Sequence, residues 1–418
     1  DTFPHLFQDQ LATTSGNDLP INDFFTMAEW NQALQPKKDT APGPDQIGYD
    51  IYKHLPTNLR KLALDLINRI WETGHIPRAW KEATVIPIQK AGKDPQQPAS
   101  YRPISLTNAI SKIMETMVNN RLKHHLEIHK PLSDNQSGFR NNRSTVDQLI
   151  RLEADIRSAF RNTKKSNRHV IAVFLDLEKA FDLVWSKGLI SRLNSYNISG
   201  RLFQWIANFL KDRTIRVRVG DQLSESYVLD NGTPQGSVIS PTLFNIMVDN
   251  LSKNVDVAIS ISQFADDSGV WEAGNPRNSK HIQKIQEGLD GITEWATTWG
   301  FKISTGKSVA MLFSPRRRKN QTYPTLYIQG QPIKFVKETT FLGMLLDEAL
   351  TWTEHIRELV RRCLLDINIL KHLKGTSWGA DQDTLLKIYQ SLIRSKLDYG
   401  CQVYDSASKY QLSKLDTI

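Results

Sequence analysis

The stretch VIAVFL, residues 170–175, constrains the fold more than any other part of the sequence. Six consecutive apolar residues leave no polar side for solvent, so this segment must be covered on both faces, as a central strand of a sheet is. It ends at Asp176, a charged residue that is unsuited to an apolar core. The sequence therefore predicts a buried sheet with a carboxylate where this strand ends.

Two further carboxylates follow another strand-like run. VAISISQFA leads into Asp266 and Asp267, and GVW continues after them, which is the pattern of two strands joined by a hairpin turn. Aspartate is also common in solvated turns, so the pair by itself admits that plain interpretation. If the two strands are neighbours, Asp176, Asp266 and Asp267 converge at one edge of the sheet, where two Mg²⁺ ions would balance their charge.

The basic charge of the chain is concentrated in one third of its length. Residues 53–168 hold 21 Lys and Arg against 10 Asp and Glu, whereas the whole chain of 418 residues has a net charge of +9, so the remainder is net negative. Such a basic window indicates either a polyanionic partner or a solvated face. The chain length predicts two or three lobes.

Several classes of protein do not fit this sequence. No apolar run approaches the roughly 18 residues of a membrane span, and the first ten residues lack a signal-peptide pattern. Cys363 and Cys401 have no partners at metal-ligand spacing, so we expect two reduced core thiols. The chain begins without Met and stops within a helical pattern, so we expect an excerpt of a longer polypeptide.

The remaining pattern mixes helices and strands before it becomes helical. Apolar spacing predicts helices over 59–71, 110–122, 149–160, 203–210 and 282–299, strands at ATVIPIQK and IRVRVG, a loop at GKDPQQPASYRP and a helical tail from Thr351. This order indicates an α+β core with a helical appendage.

Three blocks in this order resemble the palm motifs of reverse transcriptases: FLDLEKAFDLVW, NGTPQGSVISPTLFN and FADD. YRPISLTNAISKIMETMVNNRL, DNQSGFRNNRSTVDQL, STGKSVAMLFS and FLGMLLDEALTWTEHI resemble flanking blocks of non-LTR retrotransposon polymerases, most of all the jockey and I-like elements. The resemblance implies a right-hand polymerase whose α+β palm contains a small antiparallel sheet. It implies an amino-terminal extension at 1–50, fingers at 51–169 with 186–230 partly inserted between fingers and palm, a palm at 170–350 and a truncated helical thumb at 351–418.

The same resemblance implies that Asp176, Asp266 and Asp267 are the catalytic carboxylates and hold two Mg²⁺ ions, for which Mn²⁺ can substitute. Hard oxygen ligands suit Mg²⁺, which keeps its other positions for water and substrate phosphates. Lys307, in TGKS, matches a lysine that protonates the leaving pyrophosphate. The segment FLGMLLD, 341–347, resembles the hairpin that grips the primer end.

Five residues are implied to bind the nucleotide. Phe181 lies where the family has an aromatic ring beneath the sugar, with an ordinary core position as the alternative. Gln235 and Gly236 match the block that shapes the template and nucleotide pocket, for which a plain turn is the alternative. Arg102 and Lys90 lie in the basic region that resembles the fingers and would hold the triphosphate, although Lys90 fits a solvated surface equally well.

The function implied is RNA-directed DNA polymerisation, a nucleotidyl transfer to a primer 3′-hydroxyl. The implied partners are an RNA template, a DNA primer or nicked DNA target, and dNTPs, with no membrane; we expect an intracellular protein, and only the family implies the nucleus rather than the cytoplasm. One alternative is an RNA-templated RNA polymerase, which should favour a polar residue in place of Phe181. Another is a non-enzymatic nucleic-acid-binding remnant, which the three intact carboxylates disfavour.

Overall fold

The computed structural model describes residues 19–35, 40–129, 132–256, 258–316, 323–375 and 378–418. Parts of the predicted amino-terminal extension, at 1–18 and 36–39, lie outside the described residues. The α-helices are α1 (Met27–Leu34), α2 (Tyr49–Lys53), α3 (Thr57–Thr73), α4 (Arg78–Lys81), α5 (Ala109–His129), α6 (Thr145–Phe160), α7 (Ser186–Ser195), α8 (Gly200–Leu210), α9 (Ser240–Val248), α10 (Ser279–Trp299), α11 (Thr353–Leu373), α12 (Gln382–Tyr389), α13 (Ser395–Asp398), α14 (Cys401–Tyr404) and α15 (Lys409–Leu412).

The strands are β1 (Glu82–Gln89), β2 (Tyr101–Leu106), β3 (His169–Asp176), β4 (Arg213–Val219), β5 (Gln222–Leu223), β6 (Tyr227–Leu229), β7 (Ser260–Phe264), β8 (Asp267–Gly274), β9 (Val309–Phe313), β10 (Tyr327–Ile328), β11 (Gln331–Pro332), β12 (Lys334–Phe335), β13 (Glu338–Phe341) and β14 (Met344–Asp347). The predicted α+β fold class is confirmed, and each predicted helix and strand is present.

The predicted loop at GKDPQQPASYRP was wrong at its end, because Tyr101 to Pro103 already belong to β2. This strand lies at the edge of its sheet and pairs antiparallel with β1, with Pro103 opposite Pro87. An edge strand has a partner on one side only, and Pro87 lies beyond the part of β1 that pairs with β4. Both prolines are therefore tolerated where a fully paired strand would reject them.

Contacts divide the chain into two compact units, of which the first comprises the described residues within Asp1–Asp134, Glu178–Asn250 and Ala296–Lys302. Its sheet has the order β2-β1-β4-β5, and β6 also pairs with β4. β1 runs antiparallel to β2 and parallel to β4. Helix α5 contributes the fully buried side chains Ile113, Met114 and Met117 to the core of this unit.

The second unit comprises the described residues within Asn135–Leu177, Leu251–Trp295 and Ile303–Ile418. Its sheet has the order β12-β9-β3-β8-β7, so VIAVFL occupies the central strand. β3 runs antiparallel to β8 and β9, and among the five described strands of this sheet the only parallel pair is the short outer strand β12 with β9. All six VIAVFL side chains are buried, which confirms the doubly covered strand.

Apolar side chains of β3 pack in one hydrophobic cluster with α6, the β13–β14 hairpin and the helical tail. Val170, Ala172 and Phe174 belong to this cluster together with Ile356 and Cys363 of α11. Every second residue of β3 thus faces it, as strand geometry requires. Cys363 is a buried free thiol, as predicted, whereas Cys401 is a free thiol that is only partly buried against the same cluster. Among the described helices none is long and apolar enough to cross a membrane.

Candidate active site

Because β3 and β8 are neighbours, the structure brings the predicted carboxylates together. Asp176 is the last residue of β3 and lies directly opposite Asp267, the first residue of β8. Side chains directly opposite one another in an antiparallel pair have Cβ atoms about 4.5–5.5 Å apart and share one face. Asp266 precedes Asp267 in the connection from β7. The three carboxylates therefore lie at the same end of the sheet, as predicted.

The connection between β7 and β8 is a two-residue turn, Ala265 and Asp266, because Phe264 pairs with Asp267. Ala265 has a φ of +58°, and Asp266 is not among the residues with positive φ. A positive φ at the first loop residue alone is the pattern of a type II′ turn, which usually has glycine at that position. An alanine there stores about 1–3 kcal/mol of strain, so the surrounding structure must hold the turn in place.

The carboxylates repel one another. Removal from water, together with the neighbouring charges of Asp266 and Asp176, raises the pKa of Asp267 to about 6, and the ammonium of Lys307 opposes this shift. Asp267 is nevertheless an exposed residue, so solvent screens part of the repulsion. The three carboxylates at this end of the sheet carry more negative charge than the ammonium of Lys307 neutralises.

Lys307 lies beside these carboxylates although it is 131 residues from Asp176 in sequence. Its Nζ donates to Oδ2 of Asp176 at 2.9 Å. Two serines next to Lys307 also bind the Asp176 backbone: Ser304 N donates to the Asp176 carbonyl at 2.8 Å, and the Asp176 N–H donates to Ser308 Oγ at 3.3 Å. The Lys307 side chain is 69% exposed, so the ion pair contributes under about 1 kcal/mol and is easily exchanged.

The donor set fits divalent cations. Three aspartates offer only hard oxygen ligands, and their mutual repulsion is the imbalance that bound cations would remove. Within the described part of the chain, no three His, Cys, Asp or Glu side chains already converge as a metal-ligand group. Instead, the Lys307 ammonium contacts one oxygen of Asp176. A cation held by Asp176 would therefore compete with Lys307 for this carboxylate.

The predicted triphosphate ligands Lys90 and Arg102 lie in the first unit, on the β1–β2 hairpin. Lys90 N donates to the Ser100 carbonyl at 2.8 Å, and Lys90 Nζ donates to the Ala99 carbonyl at 2.9 Å. Arg102 is exposed and lies opposite Ile88 in the register. Both basic residues thus belong to the β1–β2 region, and the Lys90 ammonium is tethered to the backbone.

Phe181 also belongs to the first unit. Its half-buried ring stacks on Phe244 with centroids 4.9 Å apart, and Phe244 meets Phe301 edge-on at 6.3 Å. The Phe181 carbonyl accepts a hydrogen bond from Thr233 N at 2.9 Å. The ring therefore stacks on another aromatic side chain and stays partly exposed.

Gln235 and Gly236 lie in a tightly constrained loop of the first unit. The Gln235 carbonyl accepts from Ser105 N at 2.6 Å, and its Nε2 donates weakly to Asp182 Oδ1 at 3.4 Å. Gly236 has a φ of +117°, and a Cβ there would lie 2.6 Å from the Ser105 carbonyl oxygen. The loop therefore needs glycine for two separate reasons, the positive φ and the close approach of the Ser105 backbone.

One buried carboxylate in this region was missed by sequence reasoning. Glu115 is fully buried in α5 and accepts hydrogen bonds from Ser237 Oγ at 2.6 Å, Val238 N at 2.8 Å and Ser111 Oγ at 3.3 Å. Asn119 Nδ2 donates to the Val238 carbonyl at 3.4 Å. The sequence does contain a pattern that points to Glu115: polar residues stand at 111, 115 and 119, and this four-residue spacing places them on one face of the helix.

Comparison with known proteins decides the family. Residues 88–346, more than half of the chain, match the family described as "Reverse transcriptase (RNA-dependent DNA polymerase)". The chain belongs to the reverse transcriptase family. Members of this family act on RNA templates and generally use divalent metal ions, which agrees with the carboxylates described above.

Reverse transcriptases of Drosophila mobile elements are similar over nearly the whole chain. The chain is 30% identical to the RNA-directed DNA polymerase from mobile element jockey of Drosophila melanogaster, covering 90% of the chain and 41% of the relative. It is 29% identical to the probable RNA-directed DNA polymerase from transposon X-element of the same species, covering 98% of the chain and 45% of the relative. The chain thus spans under half the length of these relatives, and the resemblance to non-LTR retrotransposon polymerases is confirmed.

A solved telomerase of Candida tropicalis, in complex with a fragment of telomeric RNA, is a more distant match. It is 12% identical, with a TM-score of 0.47, and the match covers 89% of this chain and 61% of that chain.

Proposed function

We propose that this chain is an RNA-directed DNA polymerase that adds dNTPs to a primer 3′-hydroxyl by two-metal nucleotidyl transfer. The observation that carries the proposal is Asp176 directly opposite Asp267, with Asp266 beside them in a strained turn. Mutually repelling carboxylates at one end of a sheet do not stabilise a fold. Such a cluster is therefore better explained by a polymerase site in a chain of this family.

Asp176, Asp266 and Asp267 would hold the two Mg²⁺ ions, with Mn²⁺ as a substitute. When bound, the ions lower the pKa of the attacking hydroxyl and stabilise charge on the transferred phosphate and the leaving oxygen. The chain itself contributes by fixing the positions of the carboxylates. Two of them lie at paired strand ends, and the third lies in the turn between strands.

Lys307 is proposed to donate a proton to the leaving pyrophosphate. Its ammonium already lies 2.9 Å from Asp176, and its exposed side chain can change partners at little cost. A lysine beside a metal-binding carboxylate is close to where negative charge develops on the leaving group.

Nucleotide selection is proposed for residues of the first unit. The ring of Phe181, held against Phe244, offers no hydrogen bond to a ribose 2′-hydroxyl and would collide with it, which favours dNTPs. Gln235 and Gly236 would shape the pocket through their backbone, and Arg102 with Lys90 would bind the triphosphate.

The proposed partners are an RNA template, a DNA primer or nicked DNA target, and dNTPs. We assign the fingers to 51–169 with part of 186–230, the palm to 170–350 and the thumb to 351–418. In the first unit, a cleft of about 320 Å³ has Arg78, Arg216 and Arg218 among its lining residues. Such cations favour nucleic-acid phosphates, so template binding should weaken as salt rises. Use of a nicked chromosomal target would place the protein in the nucleus.

The test is primer extension on an RNA template with Mg²⁺, offering dNTPs and rNTPs in parallel, for the wild type and Asp266→Asn. We expect extension with dNTPs alone, and loss of extension in the variant. Circular dichroism and template-binding measurements serve as controls, because the substitution removes a charge without removing side-chain volume. Extension with rNTPs would indicate an RNA-templated RNA polymerase. Template binding by a folded wild type that extends nothing would indicate a non-enzymatic remnant.

A further inference from the structure

We propose that the segment Asn135–Gly138, which we name the brace, is a positioning element for the Asp266–Asp267 turn, and that Gly138 is its essential residue. The brace belongs to the block DNQSGFRNNRSTVDQL, to which the proposed chemistry gives no role. It lies in the second unit together with the turn that it contacts. Its catalytic consequence rests on the proposed polymerase function, whereas its structural consequence does not.

Backbone hydrogen bonds join the brace to β7. Ser137 N donates to the Gln263 carbonyl at 2.9 Å, and Gln263 N donates to the Asn135 carbonyl at 2.9 Å. Gln136 and Gln263 thus form a parallel bridge. Since β7 is the edge strand of its sheet, the brace covers backbone groups that would otherwise have no strand partner on that side. The last residues before the turn are held between β8 and the brace.

Gly138 extends this contact to the turn itself. A Cβ on Gly138 would lie 2.3 Å from Ala265 N and 3.1 Å from Ala265 Cα. Neither neighbour is a flexible side-chain end, so any larger residue must push the backbone of the turn aside. The residue that would move is Ala265, whose φ of +58° is already strained. Glycine is therefore required here because another backbone approaches closely, and its own φ is not the reason.

The brace is itself anchored by buried polar contacts. Gln136 and Ser137 are fully buried, and Gly138 N donates to Gln136 Oε1 at 2.9 Å. Gln148 of α6 donates from Nε2 to Ser137 Oγ. Arg151, also in α6, donates to Asn135 Oδ1 at 2.8 Å and to a β7 carbonyl at 3.2 Å. A buried, hydrogen-bonded segment of this kind is rigid enough to hold a strained turn.

The first readout is hydrogen exchange of the full chain, measured by mass spectrometry on peptides covering 259–268. We expect Gly138→Ala to make these amides exchange about tenfold faster, because the brace no longer seats against the turn. The matched control is Gly291→Ala in α10 of the same unit, where a Cβ would lie 2.2 Å from the Asn254 carbonyl oxygen. This control introduces an equally severe backbone clash elsewhere in the unit, so exchange at 259–268 that is faster in Gly138→Ala than in Gly291→Ala measures the local effect of the brace.

The second readout is primer extension per folded molecule as a function of Mg²⁺ concentration. In Gly138→Ala we expect kcat to fall on the order of 100-fold, because a displacement of about 1 Å in a catalytic group has that effect. The Mg²⁺ concentration for half-maximal activity should rise, whereas the KM for template should not change. Gly291→Ala should lose stability but keep the wild-type kcat and Mg²⁺ dependence.

Ser137→Ala is the milder variant in case Gly138→Ala fails to fold. It removes the hydroxyl that accepts from Gln148 and leaves the backbone of the brace intact, so we expect a smaller change in the same peptides. Unchanged exchange at 259–268 in folded Gly138→Ala or Ser137→Ala, or equal effects of Gly138→Ala and Gly291→Ala on kcat, would overturn the proposal. Faster exchange in a protein whose wild type extends no primer would support the brace and reject the polymerase function instead.

Discussion

Two hairpins of the second unit share a design but differ in what stabilises them. The β7–β8 and β13–β14 hairpins both have two-residue turns, and both turns begin with a non-glycine residue at positive φ, +58° at Ala265 and +45° at Leu342. Each also carries an aspartate at a strand end, Asp267 in one hairpin and Asp347 in the other. The groups around the two aspartates differ: hydrogen-bond donors surround Asp347, whereas carboxylates lie beside Asp267.

In the β13–β14 hairpin the aspartate stabilises the fold. Asp347 is buried and accepts from Ala349 N at 3.1 Å, Thr351 N at 2.8 Å and Trp352 N at 2.9 Å. In the β7–β8 hairpin, Asp267 instead faces two other carboxylates. Departures of this kind from local stability are expected at functional sites. The two turns also differ at their second residue, because Gly343 has a φ of +81° whereas Asp266 is not among the residues with positive φ. The comparison teaches that a two-residue hairpin with a strained first position serves stability in one place and chemistry in the other.

Replacing the two aspartates by asparagine should separate these roles. For Asp267→Asn we expect primer extension to fall at least about 1000-fold, since a metal-binding carboxylate supplies several kcal/mol to the transition state. The urea unfolding midpoint should not fall, because the substitution relieves repulsion. Loss of stability in parallel with activity would contradict the assignment of Asp267 to chemistry.

Asp347→Asn should instead destabilise the fold. Backbone N–H groups of residues 349, 351 and 352 donate to its carboxylate, and an amide has only one oxygen to accept them. We expect the free energy of unfolding to fall by about 2–3 kcal/mol, as for hydrogen bonds to a buried charged acceptor. Urea denaturation measures this change, and an unaltered midpoint would show that the two hairpins do not differ as described.

The β13–β14 hairpin should also depend on pH through His355. Burial, and to a lesser extent Arg362, lower the pKa of His355 to about 4, and its Nδ1 lies 3.3 Å from Leu345 N as an acceptor. Since the unfolded pKa is about 6.5, the protein should lose stability as pH falls from about 6.5 towards 4. His355→Gln should reduce this loss by about 3 kcal/mol at pH 4, measured by urea denaturation across that range. An equally steep pH dependence in the variant would contradict the assignment to His355.

The smallest expected effect is that of Ala265→Gly. Glycine relieves the positive-φ strain but gains freedom in the unfolded state, so we expect the free energy of unfolding to change by less than about 1 kcal/mol. Leu342→Gly is the matched comparison. Leu342 is buried in the hydrophobic cluster, so removing its side chain should lower the free energy of unfolding clearly more than Ala265→Gly changes it. Equal changes in the free energy of unfolding, measured by thermal denaturation, would mean that the same interactions stabilise the two turns.

Much of this arrangement was predictable from local sequence. Six apolar residues in a row predicted a covered central strand, and the alternation on both sides of the aspartate pair predicted the hairpin. Sequence reasoning failed at Tyr101 to Pro103, because three prolines in GKDPQQPASYRP suggested a loop and only the sheet reveals that β2 is an edge strand. It also missed Glu115, because its role depends on a loop more than 120 residues away in the chain.

The sequence by itself determined which residue types were available and which segments had to be buried, because side-chain hydropathy and backbone periodicity are local properties. It thereby determined the two carboxylate-bearing strand ends. Only the tertiary structure decided that Asp176 lies directly opposite Asp267, that Lys307 reaches the same carboxylate, and that Gly138 seats against Ala265. Register and close backbone contact between distant segments depend on how whole elements pack, and no local pattern encodes them.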